Sequence, residues 1–315
     1  MVPRSEPGPP LSATSDHHLP PPPTVPPLKD MDGERQQVIS LKSRAELEKM
    51  RVANRLVAQA LEATTLAVRP GVTTLELDRI AEAVIRGGGG TPSFKGYRPF
   101  KGVPPFPGTI CASVNEELVH GIPGRRALGP GDLISIDCGA IWEGYHGDAA
   151  VTVPVGDPED LPPETRRLLD ATLEALYAGI GAALPGQRLG DVSSAIGEVI
   201  TGHGFSVAGG GYGGHGIGRR LHEAPHVPNE GRPGRGPLLR PGMTVALEPM
   251  ANAGGADTRV LKDRWTVVTA DGALCAHFEH SICIAEESQG PAEILTDLPE
   301  SVYRRIGVRV PALAV

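Results

Sequence analysis

The 315-residue chain has only four cysteines, Cys111, Cys138, Cys275 and Cys283, and no two of them stand at CxxC spacing. No basic segment followed by an apolar one opens the sequence, so the cysteine usage points to a reduced, cytoplasmic protein and not to a disulfide scaffold. Positive charge is not in surplus either: 30 Lys and Arg face 37 Asp and Glu, for a net charge of −7. No global basic field is therefore available to hold nucleic acid or an anionic membrane. Nor does any apolar run reach the roughly 20 residues that a membrane-crossing helix needs, so no membrane role is expected.

What the chain does have is length, 40% hydrophobic residues, 41 Gly and 32 Pro. That length equals about two domains of roughly 150 residues and supports a sizeable core. Ten of the prolines fall in the first 30 residues, among few apolar side chains. Residues 1–38 therefore read as a disordered tail, the functional alternative being a polyproline ligand for a partner domain. Residues 39–288 read as the folded domain and 289–315 as a C-terminal extension.

Inside the domain the pattern is helical and then β-rich, twice over. Ser43 with Glu46 forms a capping box ahead of Leu47, Met50, Leu56, Val57 and Leu61, and Pro70-Gly71 ends that helix. Thr73 with Glu76 opens a second helix carrying Leu77, Ile80, Ala81, Val84 and Ile85 as far as Gly87. A later helix with Leu169, Leu173, Leu176, Tyr177, Ile180 and Leu184 stops at Pro185-Gly186. The next carries Val192, Ile196, Val199 and Ile200 and stops at Gly202. A shift of 115 residues places Pro70-Gly71 on Pro185-Gly186, Leu77 on Val192, Ile85 on Ile200 and Gly87 on Gly202. The strands repeat as well: Asp137 follows Pro130-Gly131, and Glu248 follows Pro241-Gly242, at the same interval. Internal duplication accounts for both matches.

Acidic residues embedded in apolar strands carry the chemical signal. LISIDCGAIWEGYHGDAAVTVPV reads as a hairpin turning around Trp142 to Gly144. With Trp142 and Glu143 at its tip, Asp137 and Asp148 face each other, and two opposed carboxylates repel. A Lys or Arg partner would neutralise them, and so would a divalent cation between them, whereas a shifted turn would point the two apart. Glu248 in MTVALEPM and Glu279 in ALCAHFEHSICI would each pay a desolvation penalty if unpaired. Four such acids suggest a ligand cluster for Mn²⁺, Fe²⁺, Co²⁺ or Zn²⁺, and they are more than one ion usually takes. His215 lies in the Gly-rich GGGYGGHGIGRRLHEAPH, where backbone can approach a ligand closely, with His222 seven residues on and His120 in VNEELVHGIPG. His17, His18, His203 and His226 read as surface or loop residues.

Taken together, CASVNEELVHGIPG, SIDCGAIWEGYHGDAAVTV, GHGIGRRLHEAP, ALEPM and FEHSICI resemble the type I methionine aminopeptidases over residues 39 to 286. The resemblance implies an α/β (α+β) pita-bread fold, two pseudo-symmetric halves with helices packed outside a curved antiparallel sheet. It implies Asp137, Asp148, His215, Glu248 and Glu279 as ligands of two divalent metal ions, Co²⁺, Mn²⁺, Fe²⁺ or Zn²⁺. It also implies Glu248 as general base and His120 and His222 as groups acting on the substrate. The pocket candidates are Tyr97, Phe106, Cys111, Leu221 and Trp265, which suit an unbranched thioether side chain. The activity implied is removal of the initiator methionine from nascent chains with a small second residue, through a water activated by the metals. Nascent polypeptide N-termini would be the partners, with the ribosome as a candidate neighbour, for a monomer in the cytoplasm.

The sequence departs from that pattern at four positions. Gly139 stands where a Thr is usual, Ala149 replaces another Thr, His277 stands where Gln is usual, and Leu221 replaces an aromatic. The segment GYRPFKGVPPFPGTIC is also longer than the usual pocket loop. Two other readings follow from the same motifs: an Xaa-Pro aminopeptidase or prolidase, and a metal-free binding module of the same fold. The second would require a lost ligand.

Overall fold

A computed structural model describes residues 38–99, 102–286 and 290–313; residues 1–37, which hold nearly all of the Pro-rich tail, lie outside them. Both capping boxes form. In helix α1 (Arg44–Ala67) the Glu46 amide donates to Ser43 Oγ while the Ser43 amide donates to the Glu46 carboxylate, and Thr73 with Glu76 does the same at α2 (Thr74–Gly87). Each box satisfies N-terminal amides that have no partner inside the helix. Leu77, Ala81 and Ile85 are fully buried, as their spacing predicts.

The duplication is visible in the helices. Helix α3 (Pro163–Ala182) packs on α4 (Leu189–Gly202), and α4 spans 14 residues, as does α2, and ends 115 residues after it. Helix α3 ends at Ala182, short of Leu184, which is 37% exposed. Gly71, Gly131, Gly186 and Gly242, the second residues of the Pro-Gly pairs in the duplicated segments, all have φ between +82° and +86°. That left-handed conformation is one that glycine reaches without steric cost.

The strands are short except for the central hairpin. In chain order they are β1 (Thr91–Pro92), β2 (Ile110–Val114), β3 (Glu117–Val119), β4 (Leu133–Trp142) and β5 (Tyr145–Pro154). There follow β6 (Ser206–Val207), β7 (Gly213–Gly216), β8 (Glu223–Pro228), β9 (Thr244–Leu247) and β10 (Met250–Asn252). The last are β11 (Thr258–Val260), β12 (Val267–Thr269), β13 (Cys275–His277), β14 (Glu279–Cys283) and β15 (Glu293–Ile294). The main sheet runs β1-β4-β5-β14-β9-β7-β8, with β2 on β4 and β15 on β14. Two three-stranded sheets, β13-β10-β6 and β11-β12-β3, stand beside it, and the paired strands are antiparallel throughout. Helix α1 packs across β4 and β5.

Residues 290–313 pack into the domain. Strand β15 pairs with β14, and α5 (Glu300–Ile306) buries Val302, Tyr303 and Ile306 in the main core. The Tyr303 hydroxyl lies 3.1 Å from Nε2 of His280, whose Nδ1 is 2.9 Å from Thr296 Oγ1.

Candidate metal centre and substrate pocket

The hairpin register differs from the symmetric one expected from the sequence. The turn residues are Glu143 and Gly144, both with positive φ, so Trp142 pairs with Tyr145, Asp137 with Ala150 and Gly139 with Asp148. This is the two-residue turn whose twist suits antiparallel strands, and it needs φ above zero at both positions. Asp137 and Asp148 are thus diagonal neighbours, not directly opposed. Because side chains alternate with a period of two, both still point to the same face.

The register across the main sheet then gathers the other candidates. Ala150 pairs with Asp137 on one side and Glu279 on the other, which sets these two acids in one row. Ala246 pairs with both Ser281 and His215, and Ser281 Oγ exchanges hydrogen bonds with the Asp148 backbone, which sets Asp148 and His215 in the next row. Glu248 directly follows β9, and its Oε1 stands 3.7 Å from His215 Nε2.

The sequence suggests that Glu248 and Glu279 lie inside continuous strands, but neither does. Glu248 stands in the break between β9 and β10, and Glu279 begins β14 after a break at Phe278. At each break the chain crosses between the main sheet and the β13-β10-β6 sheet. The acids therefore collect where two sheets meet.

His215 is oriented by its backbone. Its Nδ1 donates to the Gly216 carbonyl at 3.0 Å, which turns Nε2 toward Asp148 Oδ2 at 3.9 Å and Glu248 Oε1 at 3.7 Å. A fixed Nδ1–H leaves Nε2 with a free lone pair, the form that binds a metal. Gly214 and Gly216, on either side of it, serve strand packing. A Cβ on Gly214 would lie 2.2 Å from the Ala246 carbonyl oxygen, and one on Gly216 would lie 2.2 Å from that of Ala224.

All twelve candidate residues line one cavity of about 1000 Å³, its open mouth included: Asp137, Asp148, His215, Glu248 and Glu279, then His120 and His222, then Tyr97, Phe106, Cys111, Leu221 and Trp265. Phe106 meets Trp265 edge-on with centroids 5.1 Å apart, and the Trp265 indole donates to the Pro104 carbonyl at 3.0 Å. Phe94 and Val103 complete this apolar cluster. The aromatic pair and the indole bond hold the wall rigid. His120 sits at φ +61° with its ring 6.1 Å from that of Trp265, and the His222 ring is 4.3 Å from that of His215. Residues that sequence reasoning did not single out for the cavity include Tyr212, Met250 and Arg264.

Two departures from the family pattern have structural counterparts. A Cβ on Gly139 would lie 2.8 Å from both Ser93 Cβ and Phe94 Cε1, so Ser93 and Phe94 occupy that space. His277 is 1% exposed and places Nε2 3.6 Å from Glu248 Oε2 and 3.9 Å from Glu279 Oε2. His226, expected at the surface, is half-buried and pairs with His215 in the β7–β8 ladder. His203 is bonded to Glu174 at 2.9 Å, and His17 and His18 lie outside the described residues.

The electrostatics ask for a cation. Among the described residues no Lys or Arg forms an ion pair with Asp137, Asp148, Glu248 or Glu279; the ionic neighbours of the last three are imidazoles. Burial pushes Asp137 up to about 7, and it holds Asp148, Glu248 and Glu279 well above the usual carboxylate range, with the neighbouring carboxylates adding to the shift. Burial likewise pushes His120 and His215 down to about 4 and holds His222 well below the usual imidazole range, so the imidazoles are neutral. Asp137 Oδ1, Asp148 Oδ1 and Glu279 Oε1 are buried with no hydrogen-bond partner. Ligand atoms of Asp148, His215 and Glu279 lie within 4.8 Å of one another, as do those of Glu248, His277 and Glu279. Buried acceptors without donors, beside neutral imidazoles, fit divalent cations.

Residues 48–286 match the model of metallopeptidase family M24. The chain belongs to this family. Methionine aminopeptidase 1 of Bacillus subtilis is 51% identical over 249 residues, covering 79% of this chain and 96% of the relative. Methionine aminopeptidase 1 of Mycobacterium tuberculosis is 48% identical over 277 residues, covering 86% and 98%. The crystal structure of a methionine aminopeptidase from Thermotoga maritima superposes with a TM-score of 0.77 at 42% identity, over 82% of this chain and 100% of its own. A prolidase from Pyrococcus furiosus reaches 0.64 at 22% identity, over 82% of this chain and 66% of the prolidase, and shares the fold alone. The pita-bread fold is therefore the fold of this member of the family.

Proposed function

We propose that this chain is a metal-dependent methionine aminopeptidase that removes N-terminal methionine ahead of a small second residue. One observation carries the reading. A cluster of acids and one backbone-fixed imidazole opens directly onto an apolar pocket walled by Tyr97, Phe106, Cys111, Leu221 and Trp265. Such a pocket suits an unbranched, polarisable thioether. The close relatives named as methionine aminopeptidases support the same substrate.

Asp137, Asp148, His215, Glu248 and Glu279 would hold two divalent ions, drawn from Co²⁺, Mn²⁺, Fe²⁺ and Zn²⁺. Ions bound there lower the pKa of water and polarise the first peptide carbonyl. The protein side of the reaction belongs to three side chains. Glu248 takes the attacking water's proton at a carboxylate oxygen, His222 donates from Nε2 to the carbonyl oxygen as charge builds on it, and His120 bonds the scissile amide nitrogen or the next residue. The aromatic wall excludes water from the methionine side chain.

In this reading residues 39–288 form the catalytic domain, and nascent polypeptide N-termini are its substrates. The chain acts as a cytoplasmic monomer with the ribosome as a candidate neighbour. No described helix is long and apolar enough to cross a membrane. The deciding experiment compares Met-Gly, Met-Ala, Met-Leu, Met-Lys and Xaa-Pro peptides on metal-loaded and chelated protein. Metal-dependent turnover should be much faster for Met-Gly and Met-Ala. Equal turnover of the four Met peptides would leave an aminopeptidase without the initiator role, and preference for Xaa-Pro would replace the reading with a prolidase-like one.

A further inference from the structure

We propose that His277 is a sixth metal-binding side chain, its Nε2 a direct ligand of a divalent ion held between Glu248 and Glu279. The proposal rests on the metallopeptidase reading of this cavity and adds a second imidazole to the metal ligands.

Three observations carry it. First, the His277 backbone is pinned while its side chain is not. Its amide donates to Thr152 Oγ1 at 2.8 Å and its carbonyl accepts from the same hydroxyl at 2.9 Å, and Met250 faces it across the β10–β13 ladder. Yet both ring nitrogens are buried with no hydrogen-bond partner. A buried imidazole without partners costs free energy unless something not yet counted binds it. Second, the 3.6 Å and 3.9 Å separations from Glu248 and Glu279 are too long for hydrogen bonds. They match the 3.7 Å and 3.9 Å by which His215 stands off Glu248 and Asp148. Third, the two imidazoles approach different oxygens of one carboxylate: His215 faces Oε1 of Glu248 and His277 faces Oε2. Glu248 is thus placed to share a cation with an imidazole on either side.

The chemical consequence is metal preference. Replacing an oxygen donor or water by imidazole favours Zn²⁺, Co²⁺ and Fe²⁺ over Mn²⁺ and Mg²⁺.

The test is metal binding, with no activity readout needed. Zn²⁺ and Mn²⁺ are titrated into chelated parent chain, His277→Gln and His215→Ala, with unfolding midpoints checked for each. X-ray absorption on the Zn²⁺-loaded proteins then counts imidazole ligands. The proposal expects His277→Gln to lose one imidazole from the average count and to bind Zn²⁺ at least roughly tenfold more weakly, the lower end of what even an outer partner of a ligand contributes. Mn²⁺ affinity should change less. An unchanged imidazole count in His277→Gln, or equal weakening for both ions, would overturn the assignment even with metal bound to the parent. If His277→Gln does not fold, the parent decides: an average of one imidazole across two ions supports His215 plus His277, and half that value overturns it. A parent chain that binds no Zn²⁺ would sink the metallopeptidase reading, and His215→Ala that retains full affinity would place the metal away from this cavity.

Discussion

The Tyr97 hydroxyl lies 2.6 Å from Nδ1 of His222. Burial pushes the phenol up to about 12, so Tyr97 stays protonated and donates, and neutral His222 carries its own proton on Nε2. That tautomer presents a donor to the cavity instead of a lone pair. Tyr97 is therefore a positioning residue as well as a wall of the pocket. Tyr97→Phe should lower kcat about tenfold, a fraction of what a proton-transfer or oxyanion group supplies, and leave metal content unchanged. Steady-state kinetics beside metal quantification checks it, and unchanged kcat would remove the tautomer role.

The three cavity histidines should separate in the same pair of measurements. His215 faces two acids, whereas His120 packs against Trp265 and Tyr212. His215→Ala should lose metal and activity together, with partial rescue by excess metal. His120→Ala and His222→Ala should keep metal and lose roughly 10² to 10³ in kcat, without rescue. Equal metal loss in all three would dissolve the division of labour.

Much of this arrangement is legible in the sequence, and the exceptions have physical causes. The helix pairs were legible because the capping boxes of α1 and α2 and the Pro-Gly turns are local signals, and α2 and α4 have equal length. Asp137 and Asp148 were legible as a pair, but their register was set by where two residues tolerate positive φ, Glu143 and Gly144, which alternation does not reveal. Glu248 and Glu279 read as interior to strands because apolar flanks look alike whether a strand continues or crosses to another sheet. Residues 289–315 carried no motif, yet Tyr303 reaches His280 behind Glu279. His277 showed only as an unusual residue, since its neighbours come from other elements of the chain.

The space that a side chain at Gly139 would need is filled by Ser93 and Phe94, so placing Thr there should not be neutral. Overpacking of this kind costs about 1–3 kcal/mol. Gly139→Thr should lose stability in that range by urea denaturation, and Ser93→Gly in the same chain should return part of it. A Thr variant as stable as the parent would mean that the β1 segment moves aside freely.

The raised carboxyl groups make the stability of the chelated protein depend on pH in a definite sense. An ordinary Asp titrates near 3.9, whereas Asp137 is pushed up to about 7 and Asp148, Glu248 and Glu279 are also raised. A folded state that binds protons more tightly than the unfolded chain gains from them at low pH and loses that gain as pH rises through the folded pKa. The depressed imidazoles act in the opposite direction, with His215 at about 4 against about 6.5 unfolded, but that contribution is complete once the pH passes the unfolded value. For Asp137 that loss runs from about pH 4 to about 7, and above about pH 5 His215 is neutral in both the chelated and the metal-loaded folded forms, so the difference between them follows the carboxyls. Bound cations replace those protons and cancel the repulsion, and their affinity rises with pH for the same reason. The gap in Tm between metal-loaded and chelated protein should therefore widen as pH rises from about 5 to about 7. A gap that stays constant or narrows over that window would mean that the four carboxyls do not bind the metal.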